Sequence, residues 1–74
     1  MDSKKEDRLL RERVGLNLYH LLEKSGLTQE ELAGKMEVSP RTVSYWLSGI
    51  KEPSFARMIL LRDIFGVTLD DLAA

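Results

Sequence analysis

The sequence predicts a single small domain built only of α-helices. Apolar residues recur at intervals of three and four residues, which is the spacing of one face of a helix. Serine, threonine, glycine and proline interrupt the 74 residues at short intervals, in the positions where helices begin and end. No segment alternates apolar and polar residues as a strand does. We therefore expect five short helices with connections of two to five residues.

The first helix is predicted over residues 8–25. Its apolar residues fall on one stripe, which consists of Leu10, Val14, Leu18, Leu21 and Leu22. Gly26 follows the stripe, where a helix end belongs. Gly15 lies inside the helix at a cost of about 1 kcal/mol relative to alanine, so it either permits a close helix contact or marks a weak point. Residues 1–7 are predicted to form a flexible charged arm.

Four further helices are predicted from the residues that cap them. Each has a serine or threonine before its first turn, where the hydroxyl can accept a hydrogen bond from a backbone amide. These N-caps are Thr28, Ser39, Ser54 and Thr68. Glu31 completes a capping box in the first of them, and Pro40 suits the first position of the third helix. Gly49 and Gly66 end the third and fourth helices.

Composition excludes several classes of protein. The chain has no cysteine and one histidine, so disulfides, thiolate metal sites and polyhistidine metal sites are excluded. No apolar run approaches the roughly 18 residues of a membrane span, and no signal-peptide pattern follows the charged start. No pairing of a nucleophile with a base is visible. We expect a cytoplasmic binding module without catalytic activity, cofactor, metal or small-molecule substrate.

Residues 29–46 carry the pattern of a helix-turn-helix. Ala33 is small enough to let the third helix cross the second closely, and Val43 and Trp46 are spaced to pack against it. The opposite face of the third helix would then be free to enter the major groove of DNA. No acid occurs between residues 38 and 50, although 12 of the 74 residues are acidic. A surface that approaches phosphates must avoid carboxylates, so this gap favours DNA binding.

Three residues on the outer face of the third helix suit the edges of bases. Arg41 can donate two hydrogen bonds to guanine O6 and N7. Tyr45 can cover a thymine methyl group or bond through its hydroxyl, and Ser44 can donate or accept. An ordinary solvated face is the alternative interpretation for all three.

Several short motifs in order resemble the Cro and phage-repressor (XRE) helix-turn-helix family. These are LTQEELA at 27–33, VSPRTV at 38–43, Gly49, the Pro-Ser pair at 53–54 and GVTLDDL at 66–72. The resemblance covers roughly residues 8–73. It implies a compact five-helix, lambda-repressor-like DNA-binding domain over residues 8–74, with the helix-turn-helix at about 28–48.

The resemblance also implies which residues contact DNA. Bases would be read by Pro40, Arg41, Ser44 and Tyr45. Phosphates would be contacted by Thr28, Gln29, Ser39, Thr42 and Lys51. Members of this family bind operator DNA, usually as dimers on palindromes. The implied function is a sequence-specific transcriptional regulator that represses by blocking polymerase, with recruitment of polymerase as the alternative.

Three positions depart from the family pattern without breaking it. Leu22 and Leu47 stand where many members have an arginine–glutamate pair. Replacing both partners of a buried ion pair by hydrophobic residues is often neutral or stabilising. Glu37 occupies a turn position often held by glycine, and a positive φ there would cost about 1 kcal/mol.

The fourth helix departs as well. Arg62 stands where an alanine is usually buried, while Leu60 and Ile64 fall at positions that are usually exposed. Either the helix is slightly rotated, or Leu60 and Ile64 form a dimer or partner surface.

The overall charge leaves a second function open. A net charge of −1 and a pI near 5.8 are unlike a strongly basic nucleic-acid binder. One copy would bind DNA weakly, which favours a homodimer on two half-sites one helical turn, roughly 34 Å, apart. The alternative is a protein-interaction module on the same fold, such as an antitoxin or an anti-repressor partner. Lys4 and Lys5 are interpreted as a solvated tail, with phosphate contact as the alternative.

Overall fold

The computed structural model describes residues 3–74, and they form five α-helices. In chain order these are α1 (Ser3–Ser25), α2 (Gln29–Met36), α3 (Pro40–Ser48), α4 (Phe55–Phe65) and α5 (Leu69–Ala73). No strand occurs in this part of the chain. The prediction of an all-α domain is confirmed. α2 to α5 begin after their predicted N-caps, and α3 and α4 end at Gly49 and Gly66 as predicted.

α1 is longer than its apolar pattern predicts. It begins at Ser3, so residues 3–7 are helical where the sequence predicts a flexible arm. Met1 and Asp2, the remainder of that arm, lie outside the described residues. Lysine and glutamate are good helix formers, and no glycine or proline separates them from the rest of α1. The helix therefore continues through this polar segment without needing an apolar face.

Side-chain caps fix where the later helices begin. The four predicted N-cap hydroxyls each accept a hydrogen bond from the backbone amide three residues further on. At the start of α2 the capping box is complete, because the amide of Thr28 also donates to Glu31 Oε1 at 3.0 Å. Each hydroxyl satisfies an amide that has no partner within its helix, so the caps hold the helix starts in place.

The turn between α2 and α3 contains a strained residue. Glu37 has φ 56° and ψ 42°, and it is the non-glycine residue with positive φ among residues 3–74. The positive φ that the family pattern suggests at this position is confirmed. Arg57 of α4 donates from Nη1 to the carbonyl of Met36 at 3.1 Å, just before the turn. This bond ties α4 to the end of α2 and so supports the angle at which α3 leaves the turn.

All five helices contribute to one hydrophobic core. Its buried members are Leu18, Leu22, Leu32, Ala33, Met36, Val43, Trp46, Leu61 and Leu72. Asn17 of α1 donates from Nδ2 to the carbonyl of Leu72 at 2.9 Å, which joins α1 to α5. Leu10, predicted to lie on the inward stripe, is instead 43% exposed. It sits toward the end of α1, where Pro53 and Met58 lie beside it in a shallow depression that leaves the side chain open.

α1 and α3 approach most tightly at Gly15. A Cβ atom there would lie 2.6 Å from the carbonyl oxygen of Trp46 and 2.7 Å from that of Leu47. Carbon atoms do not approach backbone oxygens this closely, so only glycine fits. Of the two interpretations of Gly15, the close helix contact is confirmed. This contact sets the depth at which α3 lies against α1.

Candidate nucleic-acid interface

α3 has one buried face and one open face. Val43 and Trp46 face the core and retain 0% and 4% of their accessible surface, which confirms their predicted packing role. Arg41 and Ser44 are exposed, and Tyr45 is half-buried. Because the buried face is anchored against α1 and α2, the open face is held rigidly toward the solvent.

The open face carries polar groups that the protein itself does not use. Within residues 3–74, the side chains of Arg41 and Ser44 make no hydrogen bond and no ion pair. The nearest acids in the sequence are Glu37 and Glu52, which lie beyond the two ends of α3. A guanidinium has five N–H donors, and here all of them are available to an external acceptor. Pro40 is also exposed, at the first position of α3.

Tyr45 and Lys51 form one unit at the end of α3. The Lys51 ammonium lies 5.4 Å from the centre of the Tyr45 ring. The backbone amides of Ile50 and Lys51 both donate to the Tyr45 carbonyl, at 3.0 and 3.3 Å. The loop therefore folds back onto α3, and a cation predicted to touch phosphate adjoins a ring predicted to touch a base.

The beginning of α2 offers a second contact region. Gln29 is the first residue of α2, it is exposed, and its side chain has no hydrogen-bond partner within the described chain. Helix N-termini favour anions, since their first amides point outward. Thr28 differs, because its amide and its hydroxyl both bond to Glu31 inside the cap. The bond from the Thr28 amide to the Glu31 carboxylate is the main reason that the pKa of Glu31 lies below its ordinary value.

Ser39 and Thr42 share their hydroxyl groups at the start of α3. Their oxygen atoms lie 3.0 Å apart, and the Thr42 amide donates to Ser39 Oγ at 3.2 Å. One hydroxyl hydrogen is used between the two oxygens, so one remains for an external acceptor. The pair can therefore donate one hydrogen bond without breaking the cap.

The two leucines that replace the family's ion pair lie together. Leu22 of α1 and Leu47 of α3 line one depression of about 330 Å³, with Tyr19 and Leu27 beside them. Because both members of the arginine–glutamate pair are replaced by leucine, no buried charge is left without an opposite charge.

Leu60 and Ile64, the predicted partner surface, are not equivalent. Leu60 is 39% exposed, whereas Ile64 is half-buried and packs against the core of its own chain. Arg62 lies between them and donates from Nε to Asp63 Oδ1 at 3.1 Å, with its Nη2 at 3.0 Å from the same oxygen. Leu60 therefore supplies most of the exposed apolar surface of these two residues.

Sequence reasoning considered Lys4 and Lys5 for phosphate contact but missed that they form one group with cations further along α1. Lys4, Lys5, Arg8 and Arg11 line a depression of about 360 Å³. The Arg11 Nε donates to the carbonyl of Gly49, the residue that ends α3, at 3.1 Å. The spacing of positions 4, 8 and 11 was the available signal, since it places three cations on one helical face.

Two other kinds of site are not found among residues 3–74. No group of three or more histidine, aspartate or glutamate side chains there could hold a metal ion. No helix in this part is long and apolar enough to cross a membrane.

Fold and site together define a DNA-binding helix-turn-helix domain of the kind found in transcription regulators. A short helix is packed by one face across its neighbour, and its other face is open and lacks acids. That combination is the geometry with which such domains enter the major groove.

Comparison with known proteins identifies the family. The helix-turn-helix family (HTH_3) matches residues 18–72, and the chain belongs to this Cro/C1-type (XRE) family. A transcriptional regulator from Listeria innocua has a similar structure, with 32% identity and a TM-score of 0.78, over 81% of this chain and 56% of that one.

A second solved structure supports the same assignment. The clp gene regulator ClgR from C. glutamicum is 32% identical, with a TM-score of 0.77, over 85% of this chain and 82% of that one. The present chain therefore spans little more than half the length of the Listeria protein and most of the ClgR chain. No significant match is found among curated protein sequences.

Proposed function

We propose that this protein is a sequence-specific transcriptional repressor that places α3 in the major groove of an operator. One observation carries the proposal: the open face of α3 presents Arg41 without a partner among residues 3–74, on a stretch of chain without acids. The buried face of the same helix fixes the backbone position from which that side chain extends. Two similar structures are named regulators, which supports a regulatory role. Occupying an operator would repress by blocking polymerase.

Base reading is assigned to the open face of α3. Arg41 would donate two hydrogen bonds to guanine O6 and N7, the contact that best distinguishes guanine in the major groove. Tyr45 would cover a thymine methyl group, and Lys51, which lies over its ring, would help to keep the ring in place. Ser44 and Pro40 complete the surface, the first as donor or acceptor and the second by shape.

Phosphate contacts are assigned to the two sides of α3. Gln29 at the start of α2 and Lys51 after α3 would fix the register along the backbone. Ser39 and Thr42 would donate their one remaining hydroxyl hydrogen. Thr28 Oγ1 accepts from the Glu31 amide, so its own hydroxyl hydrogen would donate to phosphate without breaking that capping bond.

A homodimer on a palindromic operator fits the charge of the chain. The net charge is −1, so one copy gains little from general attraction to DNA. Two copies on half-sites one helical turn apart would bind jointly and gain affinity without new contacts. Leu60 is the most open residue of the predicted partner surface, and Ile64 would add an edge to it.

Selection of bound fragments from a random DNA pool tests the proposal directly. The expected result is a two-fold symmetric consensus with half-sites about 10 base pairs apart and guanine at a fixed position in each. A consensus without symmetry would remove the dimer but keep the base reading. Recovery of no consensus would favour the protein-interaction module instead.

Replacing Arg41 with alanine tests the base-reading role. Arg41→Ala should weaken binding to the selected operator by about 5- to 160-fold, corresponding to about 1–3 kcal/mol, and relax the preference at one position. The melting temperature should not change, since Arg41 has no partner within residues 3–74. Arg13→Ala, which removes an exposed arginine from α1, is the matched control. Wild-type affinity in Arg41→Ala would remove this residue from the reading surface.

A further inference from the structure

One face of α1 changes its chemistry halfway along the helix. Positions 22, 18, 15, 11, 8 and 4 follow each other at alternating steps of four and three residues, so they lie on a single face. The C-terminal half of this face consists of Leu22, Leu18 and Gly15. The N-terminal half consists of Arg11, Arg8 and Lys4. An apolar stripe thus becomes a basic stripe without leaving the face.

The apolar half of this face lies against α3. Gly15 meets the carbonyl groups of Trp46 and Leu47, and Leu22 shares a depression with Leu47. Arg11 reaches the carbonyl of Gly49, which is the end of α3. Beyond Arg11 there is no further turn of α3 to cover the face. Arg8 and Lys4 therefore extend past the end of α3 on the side of α1 that faces α3.

The basic stripe points toward the surface proposed to bind DNA. α1 lies behind α3, and α3 turns Arg41 and Ser44 away from α1. A line drawn from α1 through α3 therefore leads to the open face of α3. Side chains that continue in this direction past the end of α3 face the same side as the base-reading residues.

The distance by which the basic stripe lies behind α3 matches the depth of the major groove of DNA. α3 would occupy the major groove, which is about 8.5 Å deep, while the phosphates stand at its rim. Neighbouring helices lie about 8–10 Å apart, so cations on α1 would sit about one groove depth behind α3. With a rise of 1.5 Å per residue, Lys4 lies about 10 Å beyond Arg11 along the helix. That length spans one or two phosphates.

The four cations are clustered on one side of α1 and are not spread over the surface. Lys4, Lys5, Arg8 and Arg11 line one depression. Glu12 lies 3.9 Å from Arg8 and packs against Gly49, so it offsets part of their charge. The four cations outnumber the three acids of residues 4–12, Glu6, Asp7 and Glu12, which leaves a small local excess in a chain whose net charge is −1. The family match begins at residue 18, so this group lies outside it.

We propose that Lys4, Lys5, Arg8 and Arg11 bind backbone phosphates of DNA beside the end of α3. The inference rests on the proposed DNA-binding function and adds a contact surface beyond the helix-turn-helix. Arg11 contributes through its remaining N–H groups while its Nε holds Gly49. The surface supplies affinity without sequence preference, since phosphates carry no sequence information.

The test compares two double variants of the complete chain on a random-sequence 24-base-pair duplex. K4Q/R8Q removes two cations from the basic stripe, and R13Q/K24Q removes two exposed cations from other turns of the same helix. Both variants change the net charge equally, and glutamine is a good helix former. Affinity is measured between 50 mM and 200 mM salt, and circular dichroism checks that each variant is folded.

K4Q/R8Q should reduce the slope of log affinity against log salt by about 1.8, since each phosphate contact contributes about 0.9. That change corresponds to about 60-fold weaker binding at 0.1 M salt. R13Q/K24Q should change the slope by less than about 0.5, and the charge-retaining K4R/R8K should keep the wild-type slope.

Two outcomes separate the inference from the proposed function. Equal slopes for K4Q/R8Q and R13Q/K24Q would overturn the phosphate surface while leaving the function intact, provided that Arg41→Ala still weakens operator binding. A wild-type slope near zero would overturn both. A slope in K4R/R8K as low as that of K4Q/R8Q would also overturn the inference, because the charge would then not be the cause.

Discussion

The two faces of α3 differ in what determines their residues. On the inner face, Val43 and Trp46 are enclosed by side chains of other helices. On the outer face, the side chains of Arg41 and Ser44 make no hydrogen bond and no ion pair within residues 3–74. Inner residues therefore serve stability, whereas outer residues are available for the recognition that we propose. A change on one face should leave the property of the other unaffected, as long as the helix stays in place.

The largest effect is expected from Trp46→Ala. The ring is 4% exposed, and removing a buried tryptophan costs about 3–5 kcal/mol. At about 0.05–0.15 kcal/mol per residue, a domain of this length has about 4–11 kcal/mol of stability, so the loss is a large fraction of the total and should lower the melting temperature by at least about 12 °C. Ser44→Ala, two residues earlier on the outer face, should change stability by less than about 0.5 kcal/mol. Urea denaturation measures both, and equal losses would break the comparison.

A smaller effect is expected where α1 supports the inner face. Gly15→Ala places a Cβ 2.6 Å from the Trp46 carbonyl, so α3 must move away from α1. Overpacking of this kind should cost about 1–3 kcal/mol, despite the better helix propensity of alanine. Gly34→Ala is the matched control, because a Cβ there meets nothing within 4 Å. It should stabilise the domain by up to about 1 kcal/mol. A melting temperature raised by both variants would refute the close contact.

The turn that connects α2 to α3 belongs to neither face. Glu37→Gly should raise stability by about 0.5–1 kcal/mol, because glycine adopts φ 56° without the strain that a side chain brings. Lys35→Gly, inside α2, should instead lower stability by about 1 kcal/mol. Thermal unfolding distinguishes the two directions. A loss of stability in Glu37→Gly would mean that its side chain contributes more than the strain costs.

The smallest effect is expected at the start of α2, where a cap rather than packing holds the helix. The amide of Thr28 keeps the pKa of Glu31 below its ordinary value of 4.5. A lowered pKa in the folded state contributes stability above the unfolded value, and this is lost as the pH falls through the folded pKa. Glu31→Gln should therefore lose less stability than wild type between about pH 6 and about pH 3.

The control for Glu31→Gln keeps the capping geometry. Thr28→Ser retains the hydroxyl and the amide that bond to Glu31, so it should show the wild-type dependence on pH. Urea denaturation at the two pH values measures the difference. If Glu31→Gln declines with acid as steeply as wild type, the capping bond does not contribute to acid stability.

Predictions that depend on neighbouring residues in the chain agree with the structure. The starts of α2 to α5 follow from Thr28, Ser39, Ser54 and Thr68, because each cap bonds to an amide only three residues away. The burial of Val43 and Trp46 follows from their spacing on one helical face. The prediction for residues 3–7 is wrong, because the absence of apolar residues does not prevent a helix of lysine and glutamate.

The residues that we propose to contact DNA were named from the sequence, but their surroundings could not be. The pairing of Lys51 with the Tyr45 ring depends on how the loop after α3 folds back. Likewise, the sequence treats Leu60 and Ile64 alike, whereas only the packing of α4 makes Ile64 part of the core. Both distinctions arise from contacts whose geometry no spacing rule describes.

The order of helices, their capped ends and the acid-free stretch of α3 were determined by the amino-acid sequence alone, since short-range hydrogen bonds and helical periodicity are local. Tertiary structure decided that Gly15 serves a close helix contact, that Leu10 is exposed, and where the basic half of α1 lies. Gly15 and Arg11 meet partners more than thirty residues away along the chain. Such contacts exist only once the helices have packed, which is why the sequence pattern could not specify them.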